Sequence, residues 1–189
     1  MIAVAVIDMQ NAFFEDPALR ERRNDLVRAC NDLIQAALDA GGKVLLVKTE
    51  HETDKSTWTL KMLDDDQGFI FRNTSQAEFV PGLLTGTLPQ LAKTRDSAFL
   101  GTDLLLRLRN WNTDTLVLAG VSTQNCIAQT GADAFAHNIR VIYAQDATGS
   151  EDAEAAEAMR SILATEYRQP FLTVEEIKGL FAGSSQAWR

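Results

Sequence analysis

Apolar positions along this chain alternate between two patterns. Ile2 to Ile7 is a continuous run rich in β-branched residues, as expected of a strand covered on both faces, and Asp8 closes it with a carboxylate. From Asp25 to Ala40 the period changes. Leu26, Ala29, Cys30, Leu33, Ile34, Ala37 and Leu38 recur at helical spacing, and Gly41 and Gly42 stop the helix. Lys43 to Thr49 is a second apolar run. Strand, helix and strand joined by a short connection form a βαβ unit, whose crossover between parallel strands is right-handed.

The alternation resumes downstream. Leu91 and Ala92 suggest a brief strand, Asp103 to Trp111 a short amphipathic helix, Thr115 to Val121 a strand and Thr123 to His137 an alanine-rich helix. Arg140 to Ala144 reads as a strand, Asp152 to Glu166 as a helix, Pro170 to Leu172 as a brief strand and Val174 to Phe181 as a last helix. About six strands interleaved with helices predict a three-layer α/β/α domain around a parallel, Rossmann-like sheet. Thr53 to Thr87 breaks the pattern: it is polar, carries Asp64 to Asp66, and is punctuated by Pro81, Gly82 and Gly86. It is too short for a core of its own and is expected to cross the surface near the active edge. The expected organisation is one domain over residues 1–182 and a polar tail over 183–189.

Composition narrows the partners. The chain has 189 residues, 46% of them hydrophobic, which suffices for one sizeable core and not for two. Its formal charge of -8 repels phosphate backbones and anionic membrane surfaces, so neither nucleic acid nor a membrane is an expected partner. No run reaches the roughly 20 apolar residues that span a bilayer. The opening run has no basic region before it and meets Asp8 at once, unlike a secretory leader. Two distant cysteines, Cys30 and Cys126, make neither a disulfide framework nor a thiolate metal site, so free thiols in a reducing cytoplasm are expected.

In an open parallel sheet, ligands collect at the carboxyl ends of the strands. Asp8 stands there. Partial removal from water makes it a usable proton acceptor unless a cation lies beside it, and the alternative is a carboxylate capping a loop amide. Cys126 follows the Thr115 to Val121 strand. If Ser122 or Thr123 caps the next helix, Cys126 lies in the first turn, where free amides and the helix dipole favour thiolate. Cys30 falls on the apolar stripe of its helix and reads as an inert core thiol. Lys93, after Leu91 and Ala92, is uninformative alone.

Two histidines constrain the chemistry further. His137 lies 11 residues beyond Cys126 on the same expected helix, roughly 16 Å away, and cannot serve as its base. His51 follows a strand and can line a pocket or pair with Cys126. With His137 remote, the chain offers a poor set of zinc ligands, and no metal is expected. Phe13, Phe14, His51, Trp58 and Phe99 form either an apolar pocket wall or plain core. Gln124 and Asn125, beside the cysteine, are candidate contacts for polar substrate groups.

Three motifs in order, VIDMQNAFF, KTRDSAF and LAGVSTQNCIAQTGADAFAHN, resemble the isochorismatase-like cysteine hydrolases over about Ile2 to Ala147. The resemblance implies an Asp, Lys, Cys triad at Asp8, Lys93 and Cys126. It also implies a non-proline cis peptide between Val121 and Ser122, and an oxyanion hole from the amides of Ser122 and Cys126. Nicotinamidases of the superfamily carry an Asp-x-His metal pair where this chain has Thr49, Glu50 and His51, and Ala12 stands where an acid is common. The activity implied is hydrolysis of a C–N bond in a small amide, ureido or related substrate through a thioester, without a cofactor. Two alternatives remain: a vinyl ether hydrolase using Asp8 as acid, with Cys126 incidental, and a thiol-based sensor or pseudoenzyme that binds a small metabolite. The family is commonly oligomeric, so a homo-oligomer is expected, with Trp188 and the 53–87 segment as interface candidates.

Overall fold

Strands buried on both faces need apolar side chains at every position, and they form the middle of this molecule. The computed structural model describes residues 1–183, in which β1 (Ile2–Ile7), β2 (Lys43–Thr49), β3 (Gln90–Lys93), β4 (Thr115–Val121), β5 (Arg140–Gly149) and β6 (Phe171–Leu172) pair in parallel throughout. Their order is β3-β2-β1-β4-β5-β6, as the Rossmann-like expectation requires. The direction of winding reverses between β1 and β4. The expected tail from residue 184 onward, with Trp188, lies outside the described residues.

Alternation along β1 divides the core in two. Val4 and Val6 face α1 (Pro17–Asp39) and α6 (Val174–Phe181), packing with Leu26, Cys30, Leu33, Ile34 and Ile177. Ala3, Ala5 and Ile7 point the other way, into a cluster with Leu104 and Leu108 of α3 (Leu104–Asn110), Ala128 and Ala134 of α4 (Ala128–Ala136) and Leu163 of α5 (Ala153–Thr165). No described helix is long and apolar enough to cross a membrane.

Three boundaries differ from the sequence expectation. Helix α1 begins at Pro17 and not near Asp25, because the Asp16 side chain accepts from the amides of Ala18 (2.8 Å) and Leu19 (3.3 Å) and proline suits the first turn. Strand β5 runs on to Gly149. A register shift opposite Leu118 and Gly120 lets Gln145 and Asp146 reach solvent before Thr148 and Gly149 pair again with β4. The expected helix from Thr123 to His137 is divided into a π-type turn, Thr123–Ile127, and then α4.

The 53–87 segment is mostly irregular, with a short helix α2 (Leu60–Asp64) and a 3-10 turn at Ser75–Ala77. It is fastened over the carboxyl ends of the strands by bridges from Gln10 to Phe79 and from His51 to Phe71. Gln10, fully buried, donates to the carbonyls of Thr49 (2.8 Å) and Ala77 (2.9 Å) and accepts from the Thr49 amide (2.7 Å), tying β2 and the segment to the end of β1.

Candidate active site

Four strand ends meet at the point where the winding reverses. Asp8 follows β1, Thr49 ends β2, Lys93 ends β3 and Cys126 lies in the π-type turn after β4. Asp8 has a left-handed backbone (φ 56°) and donates its amide to Val47 O at 2.8 Å. Across the sheet its predecessor Ile7 pairs with Gly120, at φ 111°, where a Cβ would stand 1.9 Å from the Ile7 carbonyl oxygen. Only glycine allows β4 to pass the end of β1 that closely.

The side chains of Asp8 and Lys93 are 0% and 1% exposed, and Lys93 Nζ lies 2.8 Å from Asp8 Oδ2. The same ammonium donates to Cys126 Sγ at 3.3 Å and to Thr49 Oγ1 at 2.8 Å, while Thr49 Oγ1 donates to Asp8 Oδ1 at 3.0 Å. The cation that the sequence reading made the test of Asp8 is thus present, with Lys93 beside Oδ2 and the Thr49 hydroxyl on Oδ1. Acid, ammonium and thiol therefore share one buried centre, with the Thr49 hydroxyl as a bridge between the first two.

Burial favours the neutral form of the Cys126 thiol and pushes its pKa well above the ordinary value. The negative charge of Asp8 adds to this, and Lys93 only partly opposes it. Burial and the Asp8 charge thus oppose the pull toward thiolate expected of a first-turn position. Cys126 does lie in the first turn after β4, with Ser122 at the N-cap position, but neither Ser122 nor Thr123 gives that turn a side-chain cap. Ser122 Oγ donates to Glu151 Oε2, and Thr123 Oγ1 donates to Gly149 O at 3.1 Å. For Lys93 burial works to lower the pKa, but the charges and hydrogen bonds of Asp8 and Cys126 outweigh it and the net shift is upward. Cys30 is wholly buried and held at about 12 by desolvation, as befits a core thiol.

A cleft of about 1300 Å³ opens onto Cys126. Phe13, His51, Trp58, Ser122 and Asn125 line it. Three expected pocket residues do not. Phe14 is buried in the core beside α1, Phe99 packs on His137 with ring centroids 5.3 Å apart, and Gln124 turns to Glu151 and Ser150. The Val121–Ser122 peptide is cis.

His51 is directed to Thr57 and not to Cys126: Nδ1 donates to Thr57 O at 2.9 Å, which leaves the lone pair on Nε2. Burial lowers its pKa, the Arg95 and Lys93 charges add to this, and the Thr57 bond offsets only part, which favours the neutral ring. Thr49 Oγ1 is occupied by Asp8 and Lys93, and among the described residues no group of three or more His, Cys, Asp or Glu could hold a metal ion.

Four cleft and support residues escaped the sequence reading: Thr49 as a bridge, Gln10 as a tie, and Asp96 and Glu151 as carboxylates on the cleft wall. Only Asp96 carried a signal, because it lies in the KTRDSAF motif beside Lys93.

Known proteins share this architecture. The domain model of the isochorismatase family matches residues 3–176. An Arabidopsis thaliana protein named a probable inactive nicotinamidase is 34% identical over 163 residues, covering 80% of this chain and 82% of its own. An isochorismatase family protein from Desulfovibrio vulgaris superposes with a TM-score of 0.85 at 30% identity, covering 96% of this chain and 98% of that one. A nicotinamidase/pyrazinamidase from Bacillus subtilis gives a TM-score of 0.79 at 26% identity, covering 90% and 98%.

Proposed function

The chain belongs to the isochorismatase family, and on that premise we propose that it is a cysteine hydrolase that cleaves a C–N bond of a small amide, ureido or related substrate. The observation that carries this reading is Lys93 Nζ standing 2.8 Å from Asp8 Oδ2 and 3.3 Å from Cys126 Sγ at the base of the cleft.

The chemistry follows from the protonation states. Burial favours the thiol, so a proton must leave as the sulfur attacks, and Asp8, in the buried cluster with Lys93, is assigned as the base that takes it. Asp8 takes the proton while Sγ adds to the carbonyl carbon, and Lys93 offsets the negative charge created between them. The tetrahedral oxyanion is held by the amides of Ser122 and Cys126, each such donor contributing about 3 to 4 kcal/mol. The C–N bond then breaks, Asp8 protonates the departing nitrogen, and a thioester on Cys126 remains. Water attacks the thioester with Asp8 again as base, releasing the acid and restoring the thiol. No organic cofactor enters the cycle.

The test is release of ammonia or amine from a panel of nicotinamide, carbamoyl amino acids, ureido acids and maleamate, with isochorismate included for vinyl ether cleavage. Cys126→Ala should abolish turnover, and intact mass should show a thioester adduct on the wild-type protein. Undiminished turnover by Cys126→Ala overturns the proposal.

A further inference from the structure

Two exposed carboxylates line the cleft, one beside the nucleophile and one on Ser122, and the thioester chemistry uses neither. Asp96 Oδ1 lies 3.9 Å from Cys126 Sγ, and Asp96 Oδ2 accepts from Gln129 Nε2 at 2.9 Å. Glu151 Oε2 accepts from Ser122 Oγ and Glu151 Oε1 accepts from Gln124 Nε2 at 2.8 Å. Gln124 is itself positioned by Ser150 Oγ, which donates to its Oε1 at 2.7 Å.

The donors that hold them are neutral amides, a hydroxyl and the Cys126 thiol. These fix the direction of each carboxylate without cancelling its charge, and neither carboxylate is in an ion pair among the described residues. Two cations also line the cleft, and neither is paired with these carboxylates. Lys61 is exposed on α2, and the Arg95 guanidinium spends its hydrogens on the carbonyls of Thr57 (2.8 Å), Thr94 (2.6 Å) and Trp58 (3.3 Å). A carboxylate beside the sulfur also opposes thiolate formation, so activation of the nucleophile does not account for Asp96. Recognition of the substrate does.

We propose that Asp96 and Glu151 are specificity-determining residues that admit amides whose non-reacting end is uncharged or cationic and turn away those that carry a carboxylate. The inference rests on the hydrolase reading above and narrows its substrate class. Fixed anionic oxygens accept N–H groups from such a ligand and repel an anion that comes within a few ångströms, an effect that salt screens.

A matched series isolates the charge: succinamide, β-alaninamide and succinamate share a two-carbon spacer and end in carboxamide, ammonium and carboxylate. The wild-type kcat/KM for succinamate should lie about tenfold or more below the other two. Added salt should narrow the gap, and Asp96→Asn with Glu151→Gln should largely close it, each single substitution giving part of the change. A purely structural role would lower all three substrates together and leave their ratio fixed. Calorimetry with Cys126→Ala reads the same order as binding, independently of turnover. Equal or preferred use of succinamate, or a ratio unmoved in the double variant, overturns the inference and leaves the hydrolase reading standing. If no amide is turned over, the hydrolase reading falls, and calorimetry then decides on charge: succinamate binding weakest supports the inference, while no binding or no charge order overturns it.

Discussion

Lys93→Met tests the buried centre most directly. The substitution keeps the volume of the side chain, removes the ammonium 2.8 Å from Asp8 Oδ2, and leaves a carboxylate with 0% exposure and no cation beside it. Breaking one side of a fully buried pair costs about 3 to 5 kcal/mol, because the remaining charge keeps its desolvation penalty and loses its partner. For a chain of this length each kcal/mol moves the thermal midpoint by about 2 to 4 °C, so a loss of about 10 °C is expected. The second half of the experiment is Asp8→Asn combined with Lys93→Met. An asparagine oxygen still accepts from the Thr49 hydroxyl and leaves no charge to strand, so the double variant should recover at least about 2 kcal/mol of the loss while remaining inactive. Urea unfolding of the four proteins of the cycle, monitored by circular dichroism, supplies the numbers. A loss below about 1 kcal/mol for Lys93→Met, or a double variant less stable than that single one, would refute the account of a charge pair held out of water.

Two further outcomes follow from the thiols. With Cys30 replaced by alanine to leave one reactive sulfur, the rate at which iodoacetamide alkylates Cys126 should climb about tenfold per pH unit from pH 6 to 9, since only the scarce thiolate reacts; a plateau below pH 8 would show a preformed thiolate. Stability should fall in alkali. Cys30 sits at about 12 in the folded protein against 9.0 when free, so the folded state keeps a proton that the unfolded chain releases, and this contribution is whole below pH 9 and lost as the pH rises toward 12. At pH 10.5 the loss from this group is about 2 kcal/mol, and urea unfolding of Cys30→Ala between pH 8 and 10.5 should be less steep by that amount; an unchanged slope would refute the assignment.

The parts legible from the sequence are those whose environment imposes a period. Ile2–Ile7, Lys43–Thr49, Thr115–Val121 and Val174–Phe181 have the expected bounds because both faces of a central strand, or one face of a helix, are apolar. The first turns of α1 were hidden because only Leu19 is buried between Pro17 and Asn24, and its start depends on the Asp16 cap, a signal unrelated to hydrophobicity. The second half of β5 was hidden by Gln145 and Asp146, which the register shift carries outward. At the site, Asp8, Lys93 and Cys126 were marked by strand ends and motif. Gln10, Thr49 and Glu151 were not, because each acts through partners distant in the chain: Gln10 through Thr49 and Ala77, Thr49 through Lys93, Glu151 through Ser122. Phe14 and Phe99 show the converse, since an aromatic near a strand end belongs to core or cleft according to a rotation that residue spacing does not encode.

The position of β1 in the middle of the sheet bears on how the protein is made. Its flank toward β2 is closed by residues 43–47, whereas its other flank pairs with 115–120. A nascent chain leaving the ribosome therefore carries a bare edge along Ile2–Ile7, with no charge or proline to blunt it, until β4 has emerged. During that interval the half-made molecule is open to strand exchange with its neighbours on the polysome, which makes the pace of translation between β2 and β4 a determinant of yield.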